Sequence, residues 1–189
     1  GWDTPTPGAI SSVTYGRTRT ATVSAPRIGV CRPSCTFTPT TQRLGEDLQV
    51  EVEVYLEAAP SAPVDVTGSV LDPGSAAVSF VETSTGAGSA VATDLALGGT
   101  ANRVSFWVSG LAQGTSTTLT FSAPGYQSVS LPIEVDPSGF VQLQTAFSAN
   151  SFAANSTLSV YAARLARTTF AVAELQEPRG GVVASVPVT

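Results

Sequence analysis

The stretch Leu48-Gln-Val-Glu-Val-Glu-Val-Tyr-Leu56 decides the fold class, because its apolar and polar residues alternate without a break. Successive side chains of a β-strand point to opposite faces, so the leucines and valines share one face and the polar residues share the other. This alternation is typical of a strand with one buried and one solvated face. The sequence therefore predicts a strand over 48–56 that covers a hydrophobic core.

Short stretches of the same kind continue along the chain, separated by turns rich in glycine and proline. Spacings of about 8–12 residues between such turns are typical of β-sandwiches, and no stretch keeps a helical period. The sequence thus predicts an all-β fold. Further strands are expected near 64–71, 76–83, 89–97, 103–109, 115–123, 127–135, 140–147, 156–165, 168–176 and 182–188.

The composition excludes several classes of function. All nine basic residues are arginines, and the 189-residue chain has no lysine, histidine or methionine. A Ser-His-Asp triad, a histidine metal site, a Schiff-base lysine and a P-loop lysine are therefore impossible. We expect no enzymatic activity and no cofactor or metal. The acidic row Glu51, Glu53 and Glu57 is interpreted as a solvated strand face.

Charge and hydropathy limit the partners. The net charge is −5, which lacks the basic surface typical of nucleic-acid binders. The longest apolar runs are far below the roughly 20 residues needed to cross a bilayer. We therefore expect neither nucleic acid as a partner nor a membrane span.

The two cysteines lie close together, in Cys31-Arg-Pro-Ser-Cys35. Two thiols without histidine partners cannot complete a tetrahedral zinc site. The spacing is also not that of a Cys-x-x-Cys redox motif in a βαβ unit. A local disulfide across the turn is the favoured reading, and it implies an oxidising compartment.

Two parts of the chain repeat each other. Phe147 precedes Leu158 by eleven residues, as Phe37 precedes Leu48. A Val-x-Val-Thr segment follows in both parts, so 147–189 reads as a second copy of 37–67 with an insertion.

The N-terminal part resembles a later segment of the first copy. Gly16–Pro26 aligns without a gap with Gly114–Pro124, and six of the eleven residues are identical. The chain thus reads as starting with a late strand of the repeat and ending with early ones.

The segment Thr118-Leu-Thr-Phe-Ser-Ala-Pro-Gly-Tyr126 and the Val-x-Val-Thr pair resemble the tandem immunoglobulin-like repeats of bacterial surface proteins. The resemblance implies two immunoglobulin-like β-sandwich domains at the cell surface or outside the cell, with no catalytic residues. The expected organisation is an extended N-terminal strand over 1–30, a first domain over 31–136 and an incomplete second domain over 137–189.

An incomplete sandwich exposes strand edges that invite pairing with another chain. The N-terminal segment alternates as such a strand requires, with Ser, Thr or Gly at each even position from 12 to 24. We expect it to be a donor strand that completes the next copy, giving a head-to-tail homopolymer, that is, an extracellular filament. The residues expected to face the neighbour are Val13, Tyr15, Arg17, Arg19, Ala21 and Val23.

Two alternatives stay open. The chain can be an excerpt of a longer tandem stalk, with residues 10–26 belonging to a preceding domain. It can also be an adhesin that binds carbohydrate or protein, with Trp2, Trp107 and the tyrosines as a stacking platform, although Trp107 is expected to pack in or near the core. Asn155-Ser-Thr157 is a glycosylation acceptor pattern, so attached glycans are possible.

Overall fold

The computed structural model describes residues 10–14, 17–21, 24–79, 82, 89, 91–97, 102–143 and 159–182. For 10–14, 17–21 and 92–97 it describes the backbone alone. All regular elements in these ranges are β-strands, which confirms the predicted all-β class.

Sixteen strands follow one another along the described chain. They are β1 (Ile10–Thr14), β2 (Arg17–Ala21), β3 (Ile28–Cys31), β4 (Cys35–Thr36), β5 (Gln42–Gly45), β6 (Leu48–Leu56), β7 (Val64–Val70), β8 (Ala76–Ser79), β9 (Val91–Leu97), β10 (Arg103–Gly110), β11 (Ser116–Ser122), β12 (Val129–Asp136), β13 (Ser138–Gln142), β14 (Val160–Leu165), β15 (Val172–Leu175) and β16 (Glu177–Pro178).

Two sheets form a β-sandwich. The first has the order β4-β3-β6-β10-β8, and β16 also pairs with β6. The second has the order β5-β12-β11-β7-β9, in which β5 runs parallel to β12 and the other pairs are antiparallel. The strand that decided the fold class in the sequence, β6, lies inside the first sheet between β3 and β10.

The core lies between these sheets and is built from the alternate side chains of their strands. On β6, Val50, Val52 and Val54 are buried as their spacing predicts. The rings of Phe106 on β10 and Phe121 on β11 meet across the core with their centroids 5.1 Å apart. Offset aromatic contacts of this kind add to the burial of apolar area that stabilises the sandwich.

A third sheet follows the sandwich, with the order β13-β14-β15. Its first pair repeats the β3–β6 pair. Val30 lies opposite Val54, and Ser138 lies opposite Arg164, which are 108 and 110 residues further along the chain. On the other side of β14 lies β15, at the place that β10 holds beside β6.

The N-terminal segment differs from the single extended strand expected over 1–30. Its strands β1 and β2 pair antiparallel, with Val13 opposite Thr18 and Ile10 opposite Ala21, in a sheet of their own. A lone strand would leave the backbone groups of both edges without partners, and folding back as a hairpin satisfies one edge of each strand.

Strands from both outer parts of the chain reach the sandwich. β3 begins at Ile28, inside the range 1–30, and pairs with the far half of β6. β16, inside the range 137–189, pairs with Leu48 and Gln49 at the start of β6. Between β12 and β13 stands Pro137, where the sandwich passes into the third sheet.

Candidate assembly site

The sandwich has two ends, which we name after the residues that bound β6. At the Leu56 end, Leu56 lies opposite Ile28 of β3. At the Leu48 end, Leu48 lies opposite Pro178 of β16. The eight residue steps between them span about 26 Å at the usual rise of a strand.

The N-terminal segment joins the sandwich at the Leu56 end. The backbone N–H of Gln127 donates to the carbonyl of Pro26 at 2.8 Å, and its side-chain amide donates to the carbonyl of Ala25 at 2.9 Å. Because β3 is antiparallel to β6, it runs from this end towards the other. Ala25 and Pro26 are therefore bound at the Leu56 end.

A surface ion pair holds the start of β3 at the same end of the sandwich. Arg27 donates to Glu57 through its backbone N–H at 2.9 Å and its guanidinium at 2.8 Å. The side-chain hydrogen bonds from Arg27 lower the pKa of Glu57. Because both groups are solvated, this pair orients the chain more than it stabilises the fold.

The third sheet joins the sandwich at the opposite, Leu48 end, around the carboxylate of Asp136. This side chain is fully buried and accepts hydrogen bonds from three guanidinium groups. The donor atoms are Nη1 of Arg43 at 3.0 Å, Nη1 of Arg164 at 2.9 Å and Nε of Arg167 at 2.8 Å. Arg43 belongs to the sandwich and the other two belong to the third sheet, so one carboxylate ties the two parts together.

The charge state of Asp136 follows from its surroundings. Burial by itself raises the pKa of this carboxyl, but the hydrogen bonds from Arg43, Arg167 and Arg164 outweigh burial and lower the pKa below its usual value. Two of these arginines also pair with Glu134, which lies two residues earlier on β12. The junction is thus a network of two carboxylates and three guanidinium groups.

A second set of polar contacts holds the segment after β15 against the Leu48 end. The amide N–H of Gly45 donates to Oε1 of Gln176 at 2.8 Å, and Nε2 of Gln176 donates to the carbonyl of Arg43 at 3.0 Å. Nε of Arg179 donates to Oδ1 of Asp47 at 2.8 Å. Since Gln176 is almost completely buried, these bonds fix the position of the third sheet on the sandwich.

The third sheet is the most apolar part of the described surface. Nine large hydrophobic side chains are exposed in the described ranges, and seven of them lie between residues 140 and 175. In contrast, only two hydrophobic residues of this sheet are buried in the part of the chain that the structure describes, Ala162 and Ala163. The seven exposed residues are Phe140, Leu143, Val160, Tyr161, Phe170, Val172 and Leu175.

The residues singled out in the sequence have different outcomes. The predicted disulfide between Cys31 and Cys35 is confirmed. Four of the six expected assembly residues belong to the N-terminal hairpin: Val13 to β1, and Arg17, Arg19 and Ala21 to β2. Their role in assembly stays a prediction. Tyr15 and Val23, together with the possible glycosylation site Asn155, lie outside the described residues.

The outer face of the first sheet carries the acidic row and Trp107. Glu53 pairs with Arg103 and Glu57 with Arg27, so part of the acidic row is ion-paired. Trp107 was expected to pack in or near the core, but its side chain points to the outer face. It lies opposite Glu51 and is partly exposed, while its neighbours Phe106 and Val108 are buried.

The junction around Asp136 is the feature that the sequence analysis missed. Its one signal is a carboxylate at the end of a strand, directly before Pro137, in a chain whose cations are all arginines. The guanidinium group favours paired, partly buried contacts with carboxylates.

The function of this chain has to be inferred from the geometry, because comparisons with known proteins give no match. No protein-family model and no curated protein matches the chain. In the ranges that the structure describes, no helix has the length and hydropathy to cross a bilayer.

Proposed function

We propose that this protein is the structural subunit of an extracellular filament. In this proposal it contains one immunoglobulin-like unit and the start of a second, which includes the third sheet, and it polymerises head to tail. The N-terminal segment of one copy completes the unit at the C-terminal side of the next copy. The observation that carries the proposal is the placement of these two parts at opposite ends of the sandwich.

The strand order of the sandwich supports the immunoglobulin-like assignment. Immunoglobulin-like domains have the strands A-B-E-D in one sheet and C-F-G in the other. In chain order, β3, β6, β7, β8, β10, β11 and β12 take these seven places, with β5 and β9 as additions at the sheet edges. The repeat of the β3–β6 pair in β13 and β14 supports a second unit that begins in the same way.

The geometry of the two ends favours contact between copies over contact within one copy. The N-terminal segment is bound to the sandwich at the Leu56 end through Ala25 and Pro26. The third sheet joins the sandwich at the Leu48 end, which lies about 26 Å further along β6. To reach its own third sheet, the segment would have to reverse its direction and run along the whole sandwich. The third sheet of a neighbour placed beyond the Leu56 end lies directly in its path. A contact of this kind does not close and so produces a filament.

The exposed side chains of the third sheet supply a driving force. Large apolar side chains contribute roughly 1.5–3 kcal/mol each when they pass from water to a packed contact. Their concentration at one end is typical of an interaction surface. An extracellular site is supported by the disulfide and by the absence of free cysteines in the described chain.

The test compares the full chain with a variant that lacks residues 1–26. We expect fibres in negative-stain images of the full chain at high concentration, and single particles of the truncated variant. A variant that lacks only residues 1–9 keeps the proposed strand and serves as the matched control, so it should still polymerise. Fibres of unchanged length from the chain without residues 1–26 would refute the proposal.

A tandem stalk is the second candidate. The spacing of about 110 residues between the two copies of the strand pair is that of successive domains in such an array. A full chain that stays monodisperse at every concentration favours the stalk over the filament subunit.

A further inference from the structure

The third sheet offers a particular face to a partner. We infer that the N-terminal segment of a second copy, residues 16–24, binds across the face that carries Phe140, Val160 and Ala162, while its Ala25 and Pro26 stay bound to Gln127 of their own sandwich. This inference rests on the proposed function and deepens it, because it names the surface that receives the segment. The segment lies over this face as β11, in the second sheet, lies over the first sheet of the sandwich, and it does not add to an outer edge of the third sheet.

The ladder of β13 and β14 defines the face. Phe140 lies opposite Ala162, and residues directly opposite in a ladder point to the same side. Val160, two residues before Ala162 on the same strand, points to that side as well. By the repeat, Val160 and Ala162 take the places of Val50 and Val52, whose side chains form the core of the sandwich.

This core-like face lacks a covering sheet in the described chain. Val50 and Val52 are 4% and 0% exposed, whereas Val160 is 39% exposed and Phe140 is 50% exposed. Ala162 is already buried, so the open part of the face is at Phe140 and Val160. The contrast arises because Val50 and Val52 face the second sheet of the sandwich. A groove runs along the open face, bounded by Leu48, Pro178 and Val182 on the sandwich side.

The occupant follows from the internal similarity of the sequence. The segment Gly16–Pro26 aligns with Gly114–Pro124, which contains β11. On β11, Leu119 and Phe121 point into the core and are completely buried. The aligned residues of the N-terminal segment are Ala21 and Val23, so these are the side chains expected to cover the open face.

The sizes of the two partners are complementary. In the sandwich the inward ring of Phe121 belongs to β11 and meets Phe106 of β10, in the core that also holds the valines of β6. In the proposed contact the ring belongs to the receiving sheet, as Phe140, and the covering strand carries the smaller Ala21 and Val23. Such an exchange of large and small residues keeps the core volume filled.

Edge addition is the competing geometry. A strand that adds to β13 or β15 would bind by backbone hydrogen bonds and leave the ring of Phe140 in water. A strand across the face would bury that ring. The two geometries therefore differ in what happens at position 140.

The experiment places a photo-crosslinking benzoylphenylalanine at position 140 or, as the matched control, at position 161 of the full chain. Tyr161 is also aromatic and is 44% exposed, but it points to the opposite face of the same sheet. We expect irradiated fibres to give a crosslink from position 140 to residues 19–25 of a second copy, and none of this kind from position 161. Fibres whose crosslinks to that segment start from position 161, or are missing at position 140, overturn the inference.

Substitutions give a second measurement. Phe140→Ser should raise the critical concentration for polymerisation by about tenfold or more, because a half-exposed ring is no longer buried in the contact. Tyr161→Ser should change it by less than about twofold. Equal effects of the two substitutions contradict the inference. If the wild-type chain forms no fibres at all, the proposed function itself fails, which is a distinct result.

Discussion

The carboxylate of Asp136 and the guanidinium of Arg164 meet at 2.9 Å across the junction between the sandwich and the third sheet. Asp136 ends β12, and Arg164 lies near the end of β14. Both side chains are largely shielded from water, so their attraction is screened less than that of a surface pair. The pair therefore contributes to holding the third sheet against the sandwich.

Asp136→Asn should destabilise the chain strongly. The substitution removes the negative charge and leaves Arg43, Arg164 and Arg167 around a neutral amide. We expect a loss of about 3 kcal/mol, at the low end for breaking a buried ion pair, because two of the arginines are partly solvated. Urea unfolding measures the change.

Glu134→Gln is the control for this substitution. Glu134 contacts Arg43 and Arg167 as well, but its side chain is 30% exposed, so we expect a loss below about 1 kcal/mol. Equal losses for the two variants would show that Asp136 has no special role at the junction.

Acid should weaken the junction. The pKa of Asp136 is lowered in the folded chain, so the unfolded chain binds a proton more readily as the pH falls. The contribution of Asp136 is therefore fully present above the unfolded pKa of about 3.9 and is lost as the pH falls through the lower, folded pKa. Urea midpoints from pH 7 to pH 2 measure the loss.

Glu57 and Asp72 also have lowered pKa values and contribute to the same acid transition. Asp136→Asn separates their effect, because the stability difference between this variant and the wild type should shrink towards pH 2. A difference that stays constant with pH would contradict the assignment.

Gln176→Ala should release the segment after β15. Without the side-chain amide, the N–H of Gly45 and the carbonyl of Arg43 lose a partner at a buried position. We expect a loss of about 2 kcal/mol in unfolding free energy and faster hydrogen exchange of the Gly45 amide. Gln113→Ala, at an exposed turn, should change the stability by less than about 0.5 kcal/mol. Unchanged exchange at Gly45 would mean that other contacts hold the segment.

Local patterns in the sequence were sufficient to predict the strands of the sandwich. Alternation placed the valines of β6 inward, and the structure buries them. The close spacing of Cys31 and Cys35 was sufficient for the disulfide, because the residues that join them belong to one turn. These features depend on neighbours in the sequence, which is why they were predictable.

Partners far apart in the sequence were not predictable. Arg43 and Asp136 are 93 residues apart, and no periodicity connects them. Alternation over residues 12–24 indicated extended backbone but could not distinguish one long strand from the hairpin of β1 and β2. In the hairpin Val13 lies opposite Thr18, so the odd residues of β1 share a face with the even residues of β2. The orientation of Trp107 was missed because it lies between two buried residues in an apolar stretch.

Two glycines test the packing of the sandwich beside the junction. A Cβ on Gly110 would approach the carbonyl oxygen of Gly45 to 2.5 Å, and backbone cannot move aside as a side chain can. A Cβ on Gly114 would meet no other atom within 4 Å. The φ of Gly114 is +79°, however, so an alanine there would have a strained backbone. We therefore expect Gly110→Ala to cost about 3 kcal/mol through overpacking. Gly114→Ala should cost about 1 kcal/mol through backbone strain.

The two substitutions should also accelerate hydrogen exchange in different parts of the chain. Gly110→Ala pushes β10 away from β5, so hydrogen exchange should accelerate in both strands and at the Asp47 amide, which donates to the carbonyl of Gly110 at 3.0 Å. Gly114→Ala should accelerate exchange only near its own turn. The reverse order of the two losses would mean that β5 does not pack against β10 as closely as the structure has it.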